Sequence, residues 1–283
     1  MNSDWLLLVV PGLIWGASFL FIAEGLRAID PNGVTFLRIC VGFATLALFP
    51  AARKPIDRTA WGKIAWLGVL WFAFPLSMFP FAEQRVSSAL TGMLNGANPL
   101  FATLVACLIA RRAPSRGVTA GLAVGLGGAV IMALPALDEG HSSAIGIAMI
   151  VIALVSYGVA LNLARSLQMQ YGAIPVIWRA QAVGLILTAP LGIHDVLAAH
   201  WSLVPVLSIL ALGMGGTAIA NVLLASAAGR FGAARASSTT FLIPFVALAL
   251  GVIVRHEQVA VVSVAGSLIC LSGAWFMKRA SSH

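Results

Sequence analysis

Residues 5–24 read WLLLVVPGLIWGASFLFIAE, a run whose only charge is the final glutamate. A bilayer core about 30 Å thick is crossed by roughly 20 helical residues, so this stretch is long enough to span a membrane. The residues before it, MNSD, carry no positive charge, and no small-residue cleavage site follows the run. This beginning predicts a retained first transmembrane helix and not a cleaved signal peptide.

The same apolar pattern extends over the whole chain. Of the 283 residues, 60% are hydrophobic and 9% are charged, whereas a soluble domain has about 25% charged residues. This composition excludes soluble enzymes and nucleic-acid-binding proteins. Because lipid cannot satisfy backbone polar groups, the spans are expected to be helices. We predict an all-α integral membrane protein with ten transmembrane helices, at about 5–24, 33–50, 62–82, 87–110, 116–135, 144–164, 175–193, 203–226, 236–254 and 259–277.

The distribution of basic residues predicts the orientation in the membrane. With a cytoplasmic N-terminus, twelve of the 17 Lys and Arg residues fall on the cytoplasmic side, and only Arg27, Arg85 and Arg255 fall on the other. Such an excess is typical of cytoplasmic loops. We therefore expect a multi-pass protein of the inner (plasma) membrane with both termini cytoplasmic. The expected partners are a small-molecule substrate and the lipid bilayer, with no nucleic acid and no obligate protein partner.

The two halves of the chain, residues 1–140 and 141–283, resemble each other weakly. An offset of 145 residues pairs Pro99 with Pro244. The same offset pairs Gly128 with Gly273. Each half would hold five spans, and because five is odd, two related halves cross the membrane in opposite directions. Inverted repeats of this kind build a midplane site in many secondary transporters. We predict two inverted five-helix repeats in one integrated membrane domain.

Several short motifs appear in a characteristic order along the chain. WGASF at residues 15–19 lies in the first span, and FLR at residues 36–38 opens the second. Later come the mid-span prolines and a turn at Glu257 before a Gly-rich last helix. With this order and its five-plus-five plan, the sequence resembles the drug/metabolite transporter superfamily, in its ten-helix EamA-type branch. The resemblance implies two repeats around a central cavity that moves small metabolites.

Polar side chains at membrane depth are the first candidates for lining such a cavity, because they are costly unless they serve a function. Thr91, Asn95 and Asn98 lie on one helical face, and Pro99 directly after them would free a backbone carbonyl about one turn back. The ninth span repeats the arrangement with Thr239, Thr240 and Pro244. The alternative interpretation is that these groups make helix–helix or intrahelical hydrogen bonds.

Aromatic residues within the spans are the second group of candidates. Trp15 and Phe19 are one turn apart in the first span, Met78 and Phe79 lie in the third, and Tyr157 lies in the sixth at a place like that of Trp15. An aromatic lining would suit flat or apolar substrates by stacking, and cations through the ring faces. The alternatives are ordinary packing or an interfacial belt.

Two further positions combine polarity with membrane depth. Thr217 and Asn221 are one turn apart in a Gly-rich part of the eighth span, which indicates either a lining face or a close helix crossing. Arg38 lies about five residues into the second span, where it could hold a substrate carboxylate or extend its charge to the interface.

The sequence carries no motif for energy coupling or catalysis. It has no phosphate-binding G-x-x-x-x-G-K-[ST] loop, and no Asp or Glu lies near the middle of a span. We expect no metal and no cofactor. A membrane-embedded lipid-modifying enzyme is a weaker alternative, because Asp138-Glu139 is the only adjacent acidic pair. We predict a secondary transporter for aromatic or apolar amino acids, which the resemblance makes an exporter, with a cationic or multidrug exporter as the alternative.

Overall fold

The computed structural model describes residues 4–280, without the side chains of residues 4, 233 and 234. Throughout this range the regular structure is helical, which confirms the all-α membrane architecture. The helices are α1 (Asp4–Gly25), α2 (Pro31–Ala47), α3 (Arg58–Glu83), α4 (Ser88–Asn95), α5 (Asn98–Ala110), α6 (Arg116–Asp138), α7 (His141–Tyr171), α8 (Ala173–Leu197), α9 (Leu203–Phe231), α10 (Ser237–Arg255) and α11 (Val261–Ala280).

The number of spans is close to the predicted one. Within residues 4–280, eight helices are long and apolar enough to cross a membrane, and α4 with α5, bent by 41°, form a ninth span if the pair is counted as one. The remaining apolar helix, α2, has 17 residues. It ends before Pro50, which starts a separate 3₁₀ turn, so the predicted second span of about 33–50 begins two residues and ends three residues too far along the chain. Ten crossings therefore stay a prediction.

Two helices contain π-helical segments that the sequence pattern did not predict. One covers Gly68–Ala73 within α3, and the other covers Ala211–Ile219 within α9. A π-helix holds more residues per turn than an α-helix and shifts the faces of all residues beyond it. The two segments fall at matching places in the two halves, because the offset of 145 residues carries the first onto the second.

Helices α6 and α11 form the most extensive contact in the described chain. Their backbones approach so closely that a Cβ atom on Gly128 would lie 2.3 Å from the Cys270 amide nitrogen. A Cβ on Gly273 would lie 2.2 Å from the Gly125 amide nitrogen. Small residues permit such crossings where both helices face lipid on their other sides. The predicted correspondence of Gly128 and Gly273 therefore joins two residues of one interface.

The other major contacts also join the first half to the second. Helix α1 packs on α9 and α10, while α7 packs on α3 and α5. In addition, α2 packs on α8, and α4 packs on α10. Each of these contacts connects a helix of residues 4–138 with a helix of residues 141–280. The division into two repeats itself stays a prediction.

The helices place their termini at two opposite ends of the bundle. At the first, which we call the basic end, Lys278 bonds Ser238 and Arg179 donates to the carbonyl of Ala52. At the other, which we call the Glu257 end, Arg255 pairs with Glu24. Both Leu8, through its contact with Thr239, and the last turn of α11 lie toward the basic end. The two ends of the described chain are therefore on the same side.

Candidate functional site

The break between α4 and α5 is the local feature that positions the central polar residues. Ser87 caps α4 by accepting a hydrogen bond from the Leu90 amide at 3.2 Å. Pro99 has no N–H to donate and stands in the first turn of α5. Asn95 and Asn98 flank the resulting bend of 41°. Both side chains consequently lie where the chain turns and not along a regular helical face.

The break is filled by a proline from the other half of the chain. Pro244 lies in the first α-helical turn of α10, directly after a 3₁₀ segment, Ser237–Leu242. A Cβ on Gly96 would lie only 2.4 Å from Cγ of Pro244. Gly96 therefore leaves the space that the Pro244 ring occupies, so α10 packs against the break between α4 and α5.

A cavity of about 550 Å³ lies between the two halves of the bundle. Its inner part is formed by α1, α3, α7 and α9 around Trp15 and Tyr157. From there it extends to the basic end, where Gln168, Lys278 and the exposed Ser237 surround its mouth. This path connects the middle of the bundle with the basic end.

Eleven of the fifteen predicted site residues line this cavity. They are Trp15, Phe19, Arg38, Phe79, Asn95, Asn98, Pro99, Tyr157, Thr217, Asn221 and Thr240. The structure thus brings together residues from eight helices that are up to 225 positions apart in the sequence.

The other four predicted residues lie outside the cavity. The hydroxyl of Thr91 donates to the carbonyl of Ser87 in its own helix, and that of Thr239 donates to the carbonyl of Leu8 in α1. Met78 is partly buried and packs against the hydrophobic core. Pro244 packs at the break described above, and its predicted role was in a helix break and not in lining the cavity. The cavity wall does not include Thr91, Thr239 or Met78, and substrate binding by these three residues stays a prediction.

Aromatic rings close the inner part of the cavity on the side of the Glu257 end. Phe19 and Phe79 meet edge to face with ring centroids 5.7 Å apart, and Phe79 stacks on Tyr157 at 5.9 Å. The Trp15 ring is held differently. Its Nε1–H donates to the carbonyl of Gly216, within the π-helical segment of α9, at 2.9 Å.

Arg38 contributes a buried cation to the cavity wall. Arg38 is only 6% exposed, and its Nε donates a hydrogen bond to the Thr217 hydroxyl at 3.1 Å. Among residues 4–280, no carboxylate forms an ion pair with Arg38 within 4 Å. The terminal nitrogens of this guanidinium are therefore available to a ligand. Arg38 does not extend its charge to the interface, as the alternative interpretation supposed.

The π-helical segment of α9 anchors this arginine. The Thr217 carbonyl accepts hydrogen bonds from Gln181 at 2.8 Å and from Asn221 at 3.1 Å. The Thr217 hydroxyl in turn donates to the carbonyl of Leu212 at 3.2 Å. With all its polar groups engaged, Thr217 is a fixed support for Arg38.

Several polar or aromatic residues of this region are absent from the predicted site, among them Ser18, Trp71 and Gln181. Ser18 lines the cavity within the WGASF motif, so its position in that motif was a usable signal. Trp71 lines the cavity from the π-helical segment of α3. Gln181 is fully buried behind Thr217, and nothing in the sequence distinguishes it from other polar residues in spans. Over the described residues, no group of three His, Cys, Asp or Glu side chains could hold a metal ion.

The family model described as the EamA-like transporter family matches this chain twice, over residues 3–134 and residues 144–279. The chain belongs to the EamA-like transporter family. The fold is therefore that of a multi-pass membrane transporter, and the resemblance to the drug/metabolite transporter superfamily is confirmed.

Relatives of this EamA-like transporter share about a quarter of its residues. The uncharacterized transporter YoaV of Bacillus subtilis is 25% identical over 270 residues, 92% of this chain and 91% of its own length. A probable terminal-alkyne amino-acid exporter of Streptantibioticus cattleyicolor is 24% identical over 279 residues, 96% of this chain and 92% of its own. One crystal structure is similar with a TM-score of 0.65 at 18% identity, covering 97% of this chain and 96% of its own, which shows the fold alone.

Proposed function

We propose that this EamA-like transporter exports amino acids with aromatic or apolar side chains, by alternating access through the cavity between its halves. The observation that carries the proposal is the buried guanidinium of Arg38, which has no carboxylate partner among residues 4–280 and lies beside an aromatic cluster. A cation at membrane depth is costly and is retained where it binds or moves something.

Arg38 supplies the recognition of the substrate carboxylate. Guanidinium groups bind carboxylates with two parallel hydrogen bonds, and such charge-assisted bonds are about twice as strong as neutral ones. The Nε of Arg38 is engaged by Thr217, which fixes the plane of the guanidinium and leaves its terminal nitrogens for the substrate.

The remaining lining suits an amino acid of low polarity. Trp15, Phe19 and Tyr157 offer apolar ring surface on which a flat or apolar side chain would stack. The Oδ1 atom of Asn98 is buried and has no hydrogen-bond partner in the described chain, so it could accept a hydrogen bond from a substrate ammonium group. A cavity of about 550 Å³ lies within the size range of small-molecule sites. The relative named as an amino-acid exporter supports the same substrate class.

The direction and the mechanism follow from the two ends. Because most basic residues lie at the basic end, we place that end in the cytoplasm of an inner membrane, with both termini on this side. The cavity extends to the basic end, so a cytoplasmic substrate could enter it. The repeated family match and the contacts between halves support two inverted repeats that rock about the site.

Flux of labelled phenylalanine and leucine in proteoliposomes tests the proposal. We expect saturable counterflow by the natural protein. The variant Arg38→Gln should lose about ten- to hundredfold in flux at low substrate concentration, since a hydrogen bond to a charged group contributes about 1.5–3 kcal/mol. The matched control is Arg165→Gln, which changes an exposed arginine near the end of α7. Equal flux in Arg38→Gln and the control would contradict the proposal.

A cationic substrate is the competing hypothesis, because the ring faces of the cavity also attract cations. The positive charge of Arg38, which has no carboxylate partner among residues 4–280, would repel a cationic substrate in this cavity. Efflux of a cationic dye that increases in Arg38→Gln, together with absent amino-acid flux in the natural protein, would favour the cationic substrate instead.

A further inference from the structure

The Glu257 end is held closed by one carboxylate that joins two helices. Glu257 Oε1 accepts hydrogen bonds from the Ser88 amide at 3.1 Å and the Ser88 hydroxyl at 2.8 Å, and its Oε2 accepts from the Ala89 amide at 2.9 Å. These groups form the first turn of α4, whose N-terminus favours a negative charge. The loop after α10 is therefore fastened to α4 above the aromatic rings that close the cavity.

Arg255 extends this connection to α1. Its Nε donates to Glu257 Oε1 at 3.1 Å, and its Nη1 donates to Glu24 Oε1 at 2.6 Å. Glu24 also accepts from Arg27 on the surface. One arginine thus serves two carboxylates on different elements, and the ends of α1, α4 and α10 can separate only if these bonds break.

Glu83, at the end of α3, is a third carboxyl group beside this network. Both of its oxygens are buried, and no donor of the described residues reaches either one. Arg255, Glu257 and Arg38 lie close enough to act on it electrostatically. The surrounding elements carry three other ionisable groups. They are Glu24 on α1, Tyr157 on α7, and Arg85 in the turn after α3, whose guanidinium donates to the Phe81 carbonyl.

No donor of the described residues forms a hydrogen bond with Glu83. Arg255 is already bonded to the carboxylates of Glu24 and Glu257, so an ionised Glu83 would be a buried negative charge without a hydrogen bond to stabilise it. Burying a charge without a partner is far more costly than burying a neutral carboxyl group. Separation of α1, α4 and α10 would admit water, and water stabilises the ionised form.

We propose that Glu83 is a proton-binding site, occupied while the Glu257 end is closed and emptied when that end opens. The proposal rests on alternating access as part of the proposed function, but not on the identity of the substrate. Opening releases one proton to the Glu257 side and closure takes it up again, so acid on that side favours the closed state. A single linked proton changes the ratio of open to closed molecules by up to about tenfold per pH unit.

Reaction of a buried reporter cysteine measures this opening without any substrate. Ile22 is 1% exposed and lines the inner cavity, so Ile22→Cys would react with an impermeant maleimide from the Glu257 side only after opening. The native cysteines Cys40, Cys107 and Cys270 are replaced by alanine, and intact cells expressing the full chain are labelled between about pH 5 and pH 8. The exposed reporter Glu139→Cys corrects for the reactivity of the reagent and shows that this side is reachable.

We expect the corrected labelling rate of Ile22→Cys to rise with external pH in the parent protein. Adding Glu83→Gln, which keeps the shape of a neutral carboxyl, should make the rate low and independent of pH. Adding Glu83→Asp, which retains a carboxyl group, should preserve the pH dependence. The matched control Asp138→Asn, an exposed acid at the same end, should behave like the parent.

Three results would overturn the proposal: a parent rate that does not change with pH, an unchanged pH dependence in Glu83→Gln, or no labelling at any pH. If Glu83→Gln does not fold, infrared spectroscopy of the purified parent decides the question. Absence of the carbonyl band of a protonated carboxyl group overturns the proposal. Loss of this band in Glu83→Asp at high pH supports it. Failure of amino-acid flux with intact pH-dependent labelling would reject the substrate and keep the proton site.

Discussion

At the scale of single residues, the site depends on how one buried cation is supported. The side chain of Arg38 comes from α2, and its acceptor Thr217 comes from α9, 179 residues later. Thr217 lies in a π-helical segment, where the changed backbone pairing leaves carbonyls for side chains of other helices. The geometry of the proposed carboxylate contact is therefore set by a distant element of the other half.

This support predicts the effect of removing one hydroxyl group. In Thr217→Val, Arg38 loses its acceptor and its guanidinium is no longer fixed in one plane. We expect the KM for amino-acid flux to rise about five- to tenfold, which is part of the roughly 1.5–3 kcal/mol that a hydrogen bond to a charged group contributes, because the substrate contact itself is kept; kcat should fall less. Proteoliposome flux over a range of substrate concentrations measures this effect.

The control for this variant is Thr188→Val, because the Thr188 hydroxyl bonds only the carbonyls of its own helix. Both variants should show a thermal midpoint close to that of the natural protein. A KM for Thr217→Val that equals that of Thr188→Val would contradict the role assigned to Thr217.

At the scale of elements, the contact of α6 with α11 depends on backbone approach. Gly128 points at the Cys270 backbone, whereas a Cβ on the adjacent Gly127 would meet no atom within 4 Å. The two neighbouring glycines therefore differ in environment while they share helix, depth and composition. Their comparison isolates the crossing from the general effect of replacing glycine in a helix.

We expect Gly128→Val to destabilise the protein by about 3 kcal/mol or more, because overpacking alone costs about 1–3 kcal/mol and here the added atoms meet backbone. Gly127→Val should stay close to the natural protein. Thermal unfolding in detergent, followed by circular dichroism, compares the two. A similar midpoint for both variants would show that the crossing tolerates separation of the helices.

The elements also show where periodicity is insufficient. The apolar runs predicted the helices because hydropathy is a local property of the chain. The break at Pro99 and the π-helical segments differ in how far the sequence predicts them. The break is predictable because proline has no backbone N–H. The segment Gly68–Ala73 is not, because it is stabilised by contacts such as the hydrogen bond from Ser156 to the Leu70 carbonyl. That bond joins α7 to α3 and has no signature in either helix.

At the scale of the whole molecule, the bundle has one end rich in positive charge and one end closed by an ion-pair network. The basic end carries the mouth of the cavity. At the Glu257 end, Arg255 forms ion pairs with both Glu24 and Glu257. This asymmetry is what a transporter with its site open to one compartment requires.

The orientation is testable by labelling from one side. In a chain without native cysteines, Glu139→Cys should react with an impermeant maleimide added to intact cells, whereas Arg112→Cys should react only after the cells are permeabilised. Both positions are exposed in loops, so folding should not be affected. The reverse pattern would place the basic end outside and would turn the proposed exporter into an importer.

The amino-acid sequence by itself determined the membrane class, the helical architecture and eleven of the residues that line the cavity. Hydropathy and charge act along the chain, so spans and their basic ends can be found without knowing any contact. Polar and aromatic residues such as Asn95 and Trp15 were recognisable because they are unusual within apolar spans.

Only the tertiary structure decided which of these groups reach the cavity and which end is closed. The hydroxyls of Thr91, Thr239 and Thr240 all donate to backbone carbonyls, yet only Thr240 of these three lines the cavity. The hydrogen bond from Arg38 to Thr217 and the hydrogen bond from Ser88 to Glu257 each join residues more than 160 positions apart in the sequence. These contacts form because the two halves pack against each other and bring distant backbone and side-chain groups together. No local pattern in the sequence encodes this packing.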